Sequence, residues 1–83
     1  MANWLRSLAR AIVAGAISDY AQHRRPAAHA EAKEFLFGTD PDWIASREAW
    51  CRTAGVPWNA RYFTKAVGRH RAARKGAHRE ETK

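Results

Sequence analysis

Only one cysteine, Cys51, occurs among the 83 residues, so no disulfide can close within the chain and no cysteine-based zinc cluster is available. There is no Asn-Gly or Asp-Gly pair, and β-branched residues are scattered rather than alternating with polar ones, so no hairpin signal exists. No apolar run approaches the roughly 20 residues that cross a bilayer. Acids become scarce after position 51: residues 52–83 carry Glu80 and Glu81 against nine Lys and Arg, whereas residues 1–51 carry six of each sign. A neutral, apolar segment is thus followed by a cation, and the chain as a whole has a net charge of +7. Cations clustered beside a helical unit are the electrostatic footprint of a phosphate-rich partner.

A chain of this length has room for one small domain, whose core leaves only a few kcal/mol after conformational entropy is subtracted. Further stability must come from helix packing or from a second copy of the chain, so a homodimer is an open expectation.

Apolar spacing predicts four helices. The first, 4–23, places Trp4, Leu5, Leu8, Ile12, Val13, Ala16, Ile17 and Tyr20 inward, with Arg6, Arg10, Ser18 and Gln22 outward. Arg6 and Arg10 interleave with the apolar residues instead of preceding them, which reads as an amphipathic helix and not as an export signal. Arg24, Arg25 and Pro26 end it. A second helix is predicted at 28–37, stopped by Gly38 in a left-handed conformation. Asp40, Pro41 and Asp42 form a helix start, in which Asp40 caps, Pro41 suits the first turn and Asp42 meets the positive end of the dipole. The third helix then runs from Pro41 to Gly55, with Trp43, Ile44, Trp50, Cys51 and Ala54 inward and Arg47 and Glu48 outward. The fourth, from 57 or 59 to 69, turns Trp58, Tyr62, Phe63, Ala66 and Val67 inward. Arg61, Lys65 and Arg69 form one outward row at i, i+4 and i+8. After Val67 no large apolar side chain remains, so residues 70–83 are expected to be a basic, mobile tail to a 1–69 helical domain, with helix four extending at most to about Lys75. The fold class is all-α, a small four-helix domain.

The join between helices three and four, from Cys51 through Gly55, Val56 and Pro57 to Arg61, has the order of parts of a helix-turn-helix. Glycine permits the sharp turn, Val56 tucks beneath, and the second helix offers its outer row to a major groove. Arg61 stands where an apolar anchor is usual, six residues after the glycine, and Tyr62 and Phe63 supply the anchor late, so either the turn is longer than usual or the two helices form a plain helical hairpin. The candidate nucleic-acid-binding residues are Asn59, Arg61 and Lys65 on the groove side, with Arg69, Arg71, Arg74 and Lys75 on phosphates. Arg and Asn are suited to bidentate contact with guanine and adenine edges.

The segment from Glu34 to Val67, with Phe35-Leu36-Phe37-Gly38, then Trp43, then Cys51-Arg52-Thr53-Ala54-Gly55-Val56-Pro57 and Arg61, resembles a group of small, mostly uncharacterised bacteriophage and prophage proteins. The likeness covers roughly half the chain and carries no catalytic residues. It implies a phage setting, DNA-related or regulatory work, and the host bacterial cytosol, where a lone thiol stays reduced. The expected function is that of a phage DNA-binding protein, a transcription regulator or accessory DNA-handling factor acting on double-stranded DNA. The alternative is an inhibitor or adaptor that binds a host protein.

Other chemistry is not expected. Cys51 has no acid or histidine beside it in sequence and reads as a small apolar residue. His23 and His29 flank a proline turn while His70 and His78 lie in the basic stretch, a poor metal set. Asp40 and Asp42 are explained by capping. No enzyme, cofactor, metal or membrane partner is expected. The four tryptophans are assigned to the core, with Trp58, beside the turn, the one expected to be exposed.

Overall fold

The computed structural model describes the backbone of residues 3–82 and the side chains of residues 3–74. Four helices follow one another: α1 (Asn3–Gln22), α2 (Pro26–Phe37), α3 (Pro41–Ala54) and α4 (Ala60–Thr82). No strand occurs among the described residues. Within the expected tail at 70–83, the backbone of residues 70–82 continues α4, while residue 83 and the side chains from residue 75 onward, Lys75 included, lie outside the described residues.

Local sequence explains most of the helix ends. Asp40 caps α3, its Oδ1 accepting from the Asp42 backbone N–H at 2.9 Å, with Pro41 in the first turn as the sequence predicts. At the other end Gly55 adopts φ +77°, a left-handed geometry that strains any residue with a Cβ, and its N–H returns to the Arg52 and Cys51 carbonyls. Two details differ from expectation. Pro26 does not merely stop α1 but opens α2, which suits a residue with no N–H to leave unpaired in a first turn. Gly38 is extended (φ −62°, ψ 144°), not left-handed. Glycine is needed there for closeness, because a Cβ would collide with the Glu34 carbonyl oxygen.

Helix α1 packs on α2, α3 and α4, and α2 packs on both α3 and α4, whereas α3 and α4 have no close backbone approach to each other. The core is built where α1 presents small residues, with Ala9, Val13 and Ala16 meeting Phe35 and Leu36 of α2, Cys51 and Ala54 of α3, and Phe63 of α4. Phe63 and Leu36 are almost wholly enclosed, each worth about 2–3 kcal/mol of burial. The Phe37 ring meets the Phe63 ring edge-on at 6.3 Å. Trp4, Leu5 and Leu8, expected inside, are exposed, Trp4 by 69%. None of the tryptophans is fully buried: Trp43 and Trp50 are half-buried and Trp58 is exposed.

Arginines close the helix ends that local sequence leaves open, and two of those expected on the outer face turn out to be structural. Arg10 of α1 donates from Nε to the Ala54 carbonyl at the end of α3 (3.1 Å). Arg47 of α3, expected outward, is half-buried and holds the end of α2, donating to the Phe35 and Gly38 carbonyls at 3.2 and 3.1 Å. Arg71 of α4 donates to the Ala21 carbonyl near the end of α1 at 3.3 Å. Each cation also sits at the negative pole of the helix it closes.

Cys51 is sealed in this core, and burial raises its thiol above the ordinary value of 9.0 although Arg47 opposes the shift. Two results are expected. A thiol-specific reagent should label Cys51 only as fast as the domain opens, so that labelling accelerates manyfold in urea. Stability should also decline as pH rises past 9.0, since the unfolded thiol releases its proton there and the folded one does not.

Candidate nucleic-acid interface

The basic surface is organised by α4, whose start is fixed by Asn59. Asn59 Oδ1 accepts from the Tyr62 backbone N–H at 2.8 Å, closing one of the open donors of the first turn. The side chain assigned to base contact is therefore occupied as a helix cap. Asn59→Ala should cost about 1 kcal/mol in a urea titration followed by circular dichroism, while Asn59→Asp should be neutral or stabilising.

From this start, Phe63 and Val67 turn inward and are buried, with Tyr62, Ala66 and His70 half-buried around them. Arg61, Lys65 and Arg69 occupy the opposite row and are all exposed. One turn separates each from the next, about 6 Å along the axis. None of the three makes an ion pair or a hydrogen bond among the described residues; the ion pair found there is that of Arg52 with Glu48, at 2.7 Å. Arg61 is in the first turn of α4, where no acid is present and a cation faces the positive pole of the dipole. The placement works against helix stability and favours an anion brought from outside.

Arg71 and Arg74 do not share this row. Arg71 is exposed but committed to the Ala21 carbonyl, and its Nη2 lies 3.3 Å from His23 Nε2. Arg74 continues the spacing of Phe63, Val67 and His70, the inward stripe, to a point where it is exposed. Three of the seven residues expected from sequence thus form one ridge.

Beside the ridge, the turn between α3 and α4 spans residues 55–59. Val56 packs against the core as expected, and its N–H donates to the Cys51 carbonyl at 3.0 Å. The helix-turn-helix order of parts is present, but α3 and α4 have no close backbone approach to one another; they meet only through the shared core, and each packs on α1. Trp58 is 40% exposed, with the Arg52 guanidinium 5.3 Å from its ring centre. Sequence reading did not place Arg52 here; its spacing of four from Glu48 and six from Trp58 is the available signal.

Among the described residues no three His, Cys, Asp or Glu side chains come together as metal ligands. The His23 and His29 rings stack 4.0 Å apart, beside the Arg71 cation. No helix among the described residues is long and apolar enough to cross a membrane. No family model, curated protein or solved structure matches the chain.

Proposed function

We propose that this protein binds double-stranded DNA through the outer row of α4, with Arg61, Lys65 and Arg69 on backbone phosphates and no catalytic role. One observation carries the reading. While Arg10, Arg47 and Arg71 are spent on helix ends and Arg52 on Glu48, these three cations are exposed and unpaired among the described residues, aligned on one rigid helix. Asn59 is occupied in capping, so the geometry favours phosphate contact over base reading and points to an accessory DNA-handling factor more than to a sequence-specific regulator. A phage or prophage setting rests on the resemblance of residues 34–67 alone.

Fluorescence anisotropy with a random duplex across a salt series tests this. Three phosphate contacts give a slope of about −2.7 in log affinity against log salt, hence a loss of about 40-fold between 50 and 200 mM. A scrambled duplex of the same length should bind equally well. Absence of binding at low salt, together with one stoichiometric protein retained from nuclease-treated host lysate, would move the function to the host-protein inhibitor, for which the exposed Trp58 and Trp4 supply contact surface.

A further inference from the structure

The face of α1 turned away from the core is self-complementary, and we infer that it pairs with a second copy of the chain as an antiparallel α1–α1 contact about a two-fold axis. Trp4, Leu8, Ala11 and Gly15 follow one another at spacings of four, three and four, the seam of a two-helix contact. All four are exposed, Trp4 by 69% and Leu8 by 44%. Large residues fill the first half of the seam and small ones the second. A parallel pairing would set Trp4 against Trp4 and leave Gly15 facing Gly15 across a gap. An antiparallel pairing sets Trp4 over the partner's Gly15 and Leu8 over the partner's Ala11, large against small throughout.

The notch is real on the receiving side. A Cβ at Gly15 would meet nothing within 4 Å, and Gly15 stands on the rim of a groove of about 300 Å³ between α1 and α2, floored by Ala16, Phe35 and Trp43. That groove has the space and the apolar lining for an indole ring. Asp19 and Glu31 also line it and offer acceptors for the indole N–H.

Charge agrees with the same register. Asp19 makes no ion pair among the described residues, and α1 has no acid in its first turn. With Trp4 over Gly15, Asp19 lies one turn beyond, at the start of the partner's α1, where the helix dipole is positive. The two-fold repeats this contact, so the first turn of each α1, which has no acid of its own, gains one. The inference does not rest on DNA binding.

Sedimentation velocity over a concentration series tests it on the full chain. Wild type should pass from monomer to dimer within the micromolar to millimolar range. Trp4→Ala and Gly15→Leu should each weaken the dimer at least about tenfold with unchanged helicity. Neither side chain touches the core, and leucine is the better helix former. The double variant Trp4→Ala/Gly15→Leu should regain dimerisation, because each leucine then faces an alanine. A wild type that stays monomeric, a Gly15→Leu variant that dimerises as wild type does, or a double variant no tighter than the single ones overturns the proposal. So does a monomer that floats with vesicles of anionic phospholipid, which would give the face to a lipid surface.

Discussion

Arg47→Ala is expected to leave the domain only marginally stable at room temperature. The guanidinium makes two charge-assisted bonds, to the Phe35 and Gly38 carbonyls, from a half-buried position, and removing it strands both acceptors at the end of α2. At about 1.5 kcal/mol for each bond the loss is about 3 kcal/mol. That is most of what a domain of this size possesses. Arg47→Lys should recover no more than about half, because a single ammonium cannot span two carbonyls that a planar fork reaches together. Arg52→Ala, five positions further along α3, is the control: its pair with Glu48 is exposed and should be worth less than about 0.5 kcal/mol. Urea titrations followed by far-UV circular dichroism measure all three. Equal midpoints for Arg47→Ala and wild type would show that the end of α2 does not depend on this side chain.

Charge reversal on the ridge is expected to have the opposite balance, leaving the fold intact and removing binding. Arg61→Glu places an acid in the first turn of α4, where none is present, and should stabilise the helix by about 0.5 kcal/mol. Lys65→Glu lies beyond that turn and should be neutral for folding. Two phosphate contacts, each worth about 1.4 kcal/mol or more as charge-assisted bonds, are lost together, so duplex affinity at low salt should fall by about 100-fold or more. A variant that folds at least as well as wild type and binds far less separates a binding surface from a structural one. Reversal of Arg71 should instead damage both properties, since its guanidinium holds the Ala21 carbonyl.

Local chemistry made much of this fold legible in sequence. Asp40, Pro41 and Asp42 announce a helix start without reference to anything distant, and Gly55 announces an end. The spacing of Phe63 and Val67 sets the inward side of α4, and thereby the outward position of Arg61, Lys65 and Arg69. What hydropathy could not show is which part of an apolar stripe meets another helix. On α1 the buried positions are Ala9, Val13, Ala16 and Ala21, because close packing against three helices selects small side chains, and the larger Trp4, Leu5 and Leu8 extend past that contact. On an amphipathic helix, arginine reads as outward, as at Arg10 and Arg47. Arg10, Arg47 and Arg71 reach instead to carbonyls 44, 9 to 12 and 50 positions away in the chain, contacts decided only when whole helices are placed. Asn59 was read for base contact because its amide suits adenine, yet the same amide suits a helix start, and the nearer partner has it.

The salt dependence of duplex binding, compared between wild type and Arg61→Ala/Lys65→Ala, tests the ridge most directly. Each phosphate contact contributes about 0.9 to the slope, so removing two should flatten it by about 2 while the helical spectrum stays unchanged. Parallel slopes for the two proteins would mean that these side chains meet no phosphate, and that α4 is not the binding surface.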